Sequence, residues 1–268
     1  MGIDSDGTVF NSMKIKHTDS FIPAALEVWN FDENTSKRFR KIEERINLYS
    51  PSRGINRFPG LLMAFEELGG IDGLEDFKRY INSDYPLSNT GLTEYMRENP
   101  SAFLDKVMTW SKLSDHLFLK GTKGLKPFEG VTRALGIIHL SADTMVVSAA
   151  SSKGLTEDWE RNGLLPDIDF MAGQEFGSKK EQLLYAQKRG YIPKNMLMIG
   201  DAPGDYEAAK EAGCCFYPII PERESECWEL LQNKYFGKFL CGEYCGKCEE
   251  LLYDEFIESL SEGKQNAK

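Results

Sequence analysis

Short apolar segments alternate with amphipathic ones over residues 127–220, and no other feature of the sequence constrains the fold as strongly. The apolar segments are typical of buried strands, and the segments between them show the three- and four-residue spacing of helices. Strands are predicted at 144–148, 168–172, 196–200 and 215–220, and helices at 131–139, 155–162, 178–189 and 206–212. Strands that alternate with helices predict an α/β fold with a doubly wound parallel sheet.

The residues before this region are predicted to be helical. Apolar residues recur at three- and four-residue spacing in segments 22–31, 37–48, 60–68 and 101–113. Breaks that contain Gly or Pro separate these segments, and no strand-like alternation interrupts them. We therefore predict an inserted α-helical domain over residues 15–122, with a linker at 120–127. The α/β domain then comprises residues 1–14 and 123–268, with a helical extension from about residue 221.

The candidate functional residues lie where predicted strands end. Asp4 follows the first short strand and Asp6 comes two residues later, so in an extended backbone both carboxylates face the same side. Ser148 and Asp201 also end predicted strands, and ligands of such sheets bind at the carboxyl ends of the strands. An Asp-x-Asp-Gly segment alone is more often a turn, since Asp and Gly are common turn residues. The shared position at strand ends favours a functional site.

Carboxylates in this position suit two kinds of chemistry. One can attack as a nucleophile while the other transfers a proton. They can also bind a hard cation such as Mg²⁺, which prefers oxygen ligands. A second acidic pair, Asp201 and Asp205, has a four-residue spacing, so Asp205 can return beside Asp201 in the first turn of a helix. Alternatively, Asp205 is only a helix N-terminal residue that the helix dipole favours.

Four motifs together resemble the haloacid dehalogenase superfamily of phosphohydrolases, which use an aspartate nucleophile. The Asp-Ser-Asp-Gly-Thr-Val segment at residues 4–9 resembles the first motif, and Ser148 resembles the second. Lys179 or Lys180, at the start of a predicted helix, resembles the third, and the Gly-Asp-Ala-Pro-Gly-Asp segment at 200–205 resembles the fourth. The inserted helical domain is similar to the helical cap of this family. The resemblance therefore implies a Rossmann-like core with a cap.

The resemblance implies a role for each acidic residue of these motifs. Asp4 would attack the phosphorus atom and form an aspartyl-phosphate. Asp6 would protonate the leaving oxygen and then activate the water that hydrolyses the phospho-enzyme. Mg²⁺ would bind the Asp4 carboxylate, the Asp6 backbone carbonyl and Asp201, and Asp205 would bind it directly or through water.

The second and third motifs would act on the phosphoryl group. Ser148 would donate a hydrogen bond to a phosphoryl oxygen, and a lysine would neutralise the charge of the nucleophile and the phosphoryl group. Lys179 is preferred, because Leu183 follows it by four residues and packs the helix as in the family pattern. Lys180 remains a candidate for the same role.

The predicted function is Mg²⁺-dependent hydrolysis of a small-molecule phosphomonoester, and three alternatives remain. A phosphomutase would have the same motifs. A phosphonatase would need a cap lysine that forms a Schiff base, and Lys14 and Lys16 lie near the first motif without other support. A non-catalytic binding protein on this fold would be expected to lack a motif residue, and every motif residue is present. Asp6 argues against a dehalogenase, which needs no second aspartate.

One segment of the predicted cap has features of a substrate-binding loop. Residues 52–58 lie between Pro51 and Pro59 and include Arg53 and Arg57. Guanidinium groups suit carboxylate or phosphate groups, so we expect Arg53 and Arg57 to bind a second anionic or polyhydroxylated part of the substrate. Alternatively, residues 52–58 are only a solvated loop between two helices, which is about as common as a substrate-binding loop.

The cysteines fall into two groups. Cys214 and Cys215 lie in an apolar segment and are predicted to pack as small hydrophobic residues. The other four lie nearer the C-terminus: Cys227, Cys241, Cys245 and Cys248. In a reducing compartment such a cluster suggests a metal before a disulfide. Ordinary helix cysteines are nevertheless the preferred prediction over a zinc or iron–sulfur site, because short motifs often match by chance.

Composition limits the classes of partner. The net charge of −10 argues against a general binder of nucleic acid or of anionic membranes, although a bound metal can still attract a phosphate locally. No apolar segment approaches membrane-spanning length, and no secretion signal is recognisable. We therefore predict a cytoplasmic protein whose partner is a small phosphorylated metabolite, and the oligomeric state stays open.

Overall fold

The computed structural model describes residues 1–266, with side chains described through residue 261. Two compact units divide the chain. Met1–Ser12 and Leu125–Glu262 form the first unit, and Met13–Gly124 forms the second. No helix in the described part of the chain combines the length and the apolar character that a membrane crossing requires.

The first unit is built around a parallel sheet of five strands. They are β1 (Gly2–Ile3), β2 (Met145–Val147), β3 (Phe170–Ala172), β4 (Leu197–Gly200) and β5 (Cys215–Pro218). Their spatial order is β3-β2-β1-β4-β5, and every neighbouring pair is parallel. The predicted α/β fold with a parallel sheet is confirmed.

The short strand β1 is the centre of the sheet. It pairs with β2 on one side and β4 on the other, and the Asp4 N–H extends the ladder by donating to the Ile199 carbonyl at 2.9 Å. A Cβ on Gly2 would lie 3.1 Å from Leu183 Cδ2 and 3.2 Å from Met198 Sδ. Glycine at this position therefore allows the neighbouring side chains to pack closely against β1. This packing fixes the position of β1 and of Asp4, which follows it.

The helices that follow β1 make up the second unit. Their bounds are α1 (Ser12–Lys14), a π-helical segment (Ile15–Phe21), α2 (Ile22–Trp29), α3 (Glu33–Leu48), α4 (Arg57–Leu68), α5 (Leu74–Ile81), α6 (Asn89–Glu98) and α7 (Ala102–Gly121). Aromatic side chains form much of the core: the Phe58 ring lies edge-on to Tyr80 and Trp110, with centroids 5.6 and 6.2 Å apart. Such pairs add about 0.5–1.5 kcal/mol each beyond the area they bury.

Local capping explains where these helices differ from prediction. α3 begins at Glu33 because the Asp32 carboxylate accepts hydrogen bonds from the N–H groups of Asn34 and Thr35. Asn56 caps α4 in the same way, so Arg57 is helical and the predicted loop at 52–58 is shorter than expected. α7 runs to residue 121 instead of 113, and α5 and α6 were not predicted.

The remaining helices belong to the first unit. They are α8 (Val131–His139), α9 (Ser152–Arg161), α10 (Lys179–Lys188), α11 (Pro203–Glu211), α12 (Glu224–Leu230), α13 (Phe236–Leu240) and α14 (Lys247–Asn266). Short 3₁₀ turns occur at Leu165–Asp167, Gln174–Phe176 and Pro193–Asn195, and a π-helical segment, Leu231–Tyr235, joins α12 to α13. Each predicted helix of the α/β region is present, with ends within about three residues of the prediction.

The C-terminal extension, α12 to α14 with the turn before α14, packs against the edge strand β5. The Tyr244 hydroxyl donates to the Phe216 carbonyl at 2.7 Å, and the Phe216 N–H donates to Glu249 Oε1 at 2.8 Å. The Trp228 indole N–H donates to the Thr8 carbonyl at 2.8 Å. The two bonds to Phe216 satisfy backbone groups of β5 that would otherwise form an open sheet edge, and the Trp228 bond joins the extension to the turn after β1.

The cysteine prediction was wrong in part. Cys215 and Cys245 form a disulfide between the start of β5 and the turn before α14. Cys241 and Cys245 lie in turns and are not the helix residues that were predicted. Cys214 is a buried thiol, as predicted for a small hydrophobic residue. Cys227 and Cys248 lie in α12 and α14, as predicted for helix cysteines. Sequence spacing could not show the pairing, because residues 215 and 245 meet only when the extension lies on β5.

Candidate active site

Three buried carboxylates meet at the carboxyl ends of β1 and β4. Asp4 directly follows β1, Asp201 directly follows β4, and Asp205 lies in the first turn of α11. Their side chains are almost fully buried, and one carboxylate oxygen of each lies within 4.8 Å of the others. The four-residue spacing of the second pair brings Asp205 back beside Asp201, and its Oδ2 also accepts a hydrogen bond from the Ala202 N–H at 3.1 Å.

Lys179 joins this group and Lys180 does not. Lys179 Nζ lies 2.9 Å from Asp4 Oδ1 and 2.5 Å from Asp205 Oδ1. Lys180 points elsewhere and pairs with Glu211 at 3.1 Å, where both side chains are largely solvated. Successive helical residues face different directions, so only one of the two can reach the site. Lys179 is therefore the lysine of this pair that contacts the carboxylates, and Lys180 lies outside the cluster.

A capping box fixes the start of α10 and so the position of Lys179. The Ser178 hydroxyl accepts from the Glu181 N–H at 3.3 Å, and the Glu181 carboxylate accepts from the Ser178 N–H at 2.7 Å. This reciprocal pair sets the direction of the first helical turn. Lys179, the first residue of α10, is then directed at the carboxylates.

Asp6 lies in the turn that follows Asp4. Its Oδ1 accepts a hydrogen bond from the Ser12 hydroxyl at 2.5 Å, and its side chain is partly exposed, unlike the three buried aspartates. Gly7 has φ +77°, and its N–H donates to the Phe10 carbonyl at 2.8 Å, which closes the turn. A positive φ strains any side chain with a Cβ, so Gly7 is required for this geometry.

Ser148 follows β2 at the same edge of the sheet. Its hydroxyl accepts a hydrogen bond from the Ala150 N–H at 3.1 Å, so the hydroxyl proton can still be donated to a ligand. Gln182 holds the Ser148 backbone on both sides: the Ser148 N–H donates to Gln182 Oε1 at 3.0 Å, and Gln182 Nε2 donates to the Ser148 carbonyl at 2.9 Å. Gln182 Nε2 also donates to the carbonyls of Gly173 and Gly177.

Two supporting residues were missed by sequence reasoning. The Thr8 hydroxyl donates to Asp201 Oδ1 at 2.8 Å, and Gln182 fixes the loop that presents Ser148. Thr8 lies inside the first motif, directly after Gly7, so its position was a usable signal. Gln182 had no such signal, because a buried glutamine inside a helix resembles any polar helix residue.

Burial and charge repulsion govern the ionisation of the group. Burial raises the pKa of Asp4 well above its usual range; Lys179 opposes this effect, whereas Asp205 and Asp201 add to it. Burial also raises the pKa of Asp205, again against Lys179 and with Asp201. Burial alone would lower the pKa of Lys179, but Asp205 and Asp4 outweigh it and raise that pKa above its ordinary value. Asp4 and Asp205 thus share one ammonium, and Asp201 adds a third carboxylate beside them.

Comparison with known families agrees with this geometry. A model of the family described as haloacid dehalogenase-like hydrolases matches residues 73–219, which is more than half of the chain. The chain belongs to the haloacid dehalogenase-like hydrolases. The predictions of this family and of a hydrolase are confirmed. Among curated proteins, none matches the sequence.

Solved structures show where else this haloacid dehalogenase-like fold occurs. A haloacid dehalogenase-like hydrolase from Streptococcus pneumoniae is 14% identical, with a TM-score of 0.51 over 85% of this chain and 89% of that one. A predicted phosphoglycolate phosphatase from Haemophilus somnus is 18% identical, with a TM-score of 0.51 over 84% and 89%. A candidate β-phosphoglucomutase from Thermotoga maritima is 16% identical, with a TM-score of 0.50 over 87% and 98%. At these identities the likeness shows the fold alone.

The cluster of three carboxylates in this haloacid dehalogenase-like hydrolase is suited to hold a divalent cation. Asp4, Asp201 and Asp205 supply hard oxygen donors close together, and one lysine does not balance their charge. Hard cations such as Mg²⁺ prefer such donors, and a cation would relieve the repulsion among them. The Asp6 side chain bonds to Ser12, and its backbone carbonyl as a further ligand stays a prediction.

The two arginines expected to bind substrate lie in the helical unit, each in a different setting. Arg53 is 5% exposed, and its guanidinium donates to the Leu48 carbonyl at 2.8 Å. Arg57 pairs with Asp115 at 2.5 Å and lies over the Phe21 ring, 5.2 Å from its centroid. Part of the positive charge of Arg57 is therefore neutralised by Asp115.

Proposed function

We propose that this protein is a Mg²⁺-dependent phosphohydrolase that cleaves a small-molecule phosphomonoester through an aspartyl-phosphate on Asp4. One observation supports the proposal most strongly. The Asp4 carboxylate is buried at a strand end, beside the Asp201 and Asp205 carboxylates and 2.9 Å from the Lys179 ammonium. A carboxylate used only for structure would not need two further buried carboxylates beside it, because each adds repulsion.

Asp4 is the proposed nucleophile. One carboxylate oxygen attacks the phosphorus atom and the other keeps its contact with Lys179, which orients the group. The lysine also places a positive charge where phosphoryl oxygens gain negative charge, the effect that dominates phosphoryl transfer. A bound Mg²⁺, held by Asp4, Asp201 and Asp205, would supply further charge neutralisation at the phosphoryl group.

Asp6 and Ser148 complete the proposed mechanism. Asp6 donates a proton to the leaving oxygen and then accepts one from the water that attacks the aspartyl-phosphate. Its hydrogen bond with Ser12 and the Gly7 turn hold the carboxylate in one orientation. Ser148, whose backbone is fixed by Gln182, donates its hydroxyl proton to a phosphoryl oxygen.

The proposal is tested by phosphate release from a panel of small phosphomonoesters, with Mg²⁺ and with EDTA. We expect release that requires Mg²⁺ and that Asp4→Asn abolishes, since the amide keeps the shape of the side chain but is not a nucleophile. Asp105→Asn is the matched control, because Asp105 is an exposed residue of α7 in the other unit. Normal phosphate release by the Asp4→Asn protein would disprove the mechanism.

A phosphomutase would use the same residues, and the same panel separates it. A mutase given a hexose 1-phosphate and a bisphosphate activator returns an isomeric phosphate, whereas a phosphatase returns inorganic phosphate. We expect inorganic phosphate to be the main product.

Substrate recognition by Arg53 and Arg57 remains a proposal. Each is proposed to bind a second anionic or polyhydroxylated group of the substrate, which a simple aryl phosphate lacks. Replacing either with Ala should then lower kcat/KM for the best substrate while that for an aryl phosphate changes little, because remote binding energy is lost. Unchanged kcat/KM for both substrates would remove the arginines from substrate recognition.

A further inference from the structure

The Asp4 loop, defined as residues 4–10, accepts hydrogen bonds from two buried tryptophans. Trp159 lies in α9, and its indole N–H donates to the Ser5 hydroxyl oxygen at 3.0 Å. Trp228 lies in α12, and its indole N–H donates to the Thr8 carbonyl at 2.8 Å. Both side chains are fully buried. The proposed mechanism gives neither tryptophan a role.

Both hydrogen bonds are shielded from water. Ser5 is 3% exposed and Thr8 is fully buried. An indole N–H can only donate, and a buried one needs an acceptor. If the Asp4 loop moved away from either ring, a buried N–H and a buried oxygen would both lose their partner, with no water to replace it. The two tryptophans therefore favour a single position of the loop.

Thr8 connects Trp228 to the carboxylates. Its carbonyl accepts from Trp228, and its hydroxyl donates to Asp201 Oδ1 at 2.8 Å. A shift of the Thr8 backbone would move the hydroxyl away from Asp201. Groups that hydrogen-bond to a metal ligand orient it, and their loss lowers metal affinity. The position of Trp228 therefore affects the orientation of Asp201.

Trp228 is held in place through its neighbour Cys227. The Tyr217 hydroxyl donates to the Cys227 carbonyl at 2.7 Å, and the Ile220 N–H donates to Cys227 Sγ at 3.3 Å. Tyr217 lies in β5, and Ile220 follows that strand. These bonds fix α12 to the sheet directly beside Trp228. The extension therefore presents the Trp228 indole from a rigid base.

Trp159 contacts both ends of the Asp4 loop. Its N–H bonds to Ser5, and its ring lies edge-on to Phe10 with centroids 5.9 Å apart. The Ser5 carbonyl also accepts hydrogen bonds from the N–H groups of Val9 and Phe10, at 3.0 and 3.1 Å. Ser5 lies between the two aspartates of the first motif. Trp159 thus supports the turn that these internal bonds close.

We propose that Trp228 and Trp159 are positioning residues of the candidate active site, and that the C-terminal extension acts on Asp201 through Trp228 and Thr8. The inference rests on the proposed Mg²⁺ site for one of its readouts, and on the hydrogen bonds of the Asp4 loop alone for the other. Loss of the Trp228 N–H leaves the Thr8 carbonyl without its partner. The Asp4 loop then opens more often, and Thr8 orients Asp201 less well.

The test replaces each buried indole with a phenyl ring. Trp228→Phe and Trp159→Phe remove the N–H and part of the ring system. Trp110→Phe is the matched control, because Trp110 is 1% exposed, its N–H donates to the Phe21 carbonyl at 3.0 Å, and it belongs to the other unit. The control therefore loses the same atoms and a buried hydrogen bond that does not involve the Asp4 loop.

Hydrogen–deuterium exchange of the metal-free proteins measures the Asp4 loop directly. The N–H groups of Gly7, Val9 and Phe10 are hydrogen-bonded within the loop, so their exchange requires it to open. Exchange in this loop should become at least about tenfold faster in Trp228→Phe and in Trp159→Phe, and it should change by less than about twofold in Trp110→Phe.

Calorimetric titration with Mg²⁺ tests the connection to Asp201. Trp228→Phe should bind Mg²⁺ about 3–10-fold more weakly, and Trp110→Phe should bind it as the unaltered protein does. If Trp228 acts through Thr8, the double variant Trp228→Phe/Thr8→Val should bind Mg²⁺ no more weakly than Thr8→Val alone, whereas independent effects would multiply. Benzothienylalanine at residue 228 keeps the fused ring and replaces the N–H with sulfur, so it gives the same comparison should Trp228→Phe fail to fold.

Three results would overturn the proposal: unchanged exchange of the Asp4 loop without the Trp228 N–H, equal increases in exchange for Trp228→Phe and Trp110→Phe, and losses of Mg²⁺ affinity that multiply in the double variant. Failure of the proposed function gives a different result. An unaltered protein that binds Mg²⁺ and releases no phosphate would refute the phosphatase reaction, and both readouts would still test the tryptophans. If the unaltered protein binds no Mg²⁺, exchange of the Asp4 loop alone decides their role.

Discussion

At the scale of single residues, neighbouring lysines provide the sharpest test of the site. Lys179 contacts Asp4 and Asp205, whereas Lys180 pairs with Glu211 in solvent. Lys179→Ala should lower kcat/KM by about 10²–10³-fold, as expected for loss of a charge that stabilises the transition state. Lys180→Ala should stay within about twofold, because surface ion pairs contribute little. Comparable losses from both substitutions would argue against the assigned lysine.

Asp6 is expected to affect substrates according to their leaving groups. An alkyl phosphate has a poor leaving group that needs a proton, whereas an activated aryl phosphate does not. Asp6→Asn should therefore slow the first step for an alkyl phosphate by about 10²–10⁴-fold and for an aryl phosphate by much less. Rapid-quench measurement of phospho-enzyme formation gives both rates. Equal losses on the two substrates would exclude Asp6 as the general acid.

The role of Thr8 was not predicted, although the residue lies inside the first motif. The sequence placed Thr8 beside the aspartates but gave it no role, and the structure shows its hydroxyl bonded to Asp201 Oδ1 at 2.8 Å. Thr8→Val keeps the buried shape and removes the hydroxyl, so Mg²⁺ affinity should fall about 10–100-fold. Thr8→Ser keeps the hydroxyl and should bind Mg²⁺ nearly as the unaltered protein does. Calorimetric titration of each protein with Mg²⁺ makes the comparison.

At the scale of elements, the junction of β4 and α11 depends on one glycine. A Cβ on Gly200 would lie 2.5 Å from the Asp205 side chain, whereas a Cβ on Gly204 would meet nothing within 4 Å. Gly200→Ala should therefore displace Asp205 and weaken Mg²⁺ binding at least tenfold. Gly204→Ala should leave binding unchanged and raise stability by up to about 1 kcal/mol, because Ala suits a helix better than Gly. Equal Mg²⁺ affinity in the two variants would show that Asp205 does not depend on the absence of a side chain at residue 200.

Elements with a strong local pattern were predictable and those that depend on distant contacts were not. β2 and β4 are short apolar strands that end at a polar residue, so the sequence located both strands and the positions of Ser148 and Asp201. α5 and α6 are short and rich in polar residues, and packing in the second unit stabilises them more than propensity does. The Cys215–Cys245 pairing needs the extension to lie on β5, which no local pattern specifies.

At the scale of the whole molecule, the buried carboxylates link stability to pH and to metal. The folded protein without metal raises the pKa of Asp4 and Asp205 above the ordinary aspartate value of 3.8, mainly by burial. Above that value the folded state therefore binds more protons than the unfolded state. The free energy of unfolding changes with pH in proportion to the number of protons bound by the unfolded state minus the number bound by the folded state. That difference is negative here, so the free energy of unfolding decreases as the pH rises.

A bound cation reverses that dependence, because it favours the ionised carboxylates. Without metal, the thermal midpoint should be lower at pH 7.5 than at pH 5. Mg²⁺ at 100 times its Kd should add about 2.7 kcal/mol, or roughly 5–10 °C, at pH 7.5. At pH 5 the gain should be smaller, since protons compete with the metal. Asp205→Asn removes one carboxylate and should flatten the pH dependence of the metal-free protein. A gain from Mg²⁺ that is equal at both pH values, or larger at pH 5, would show that the cation binds elsewhere.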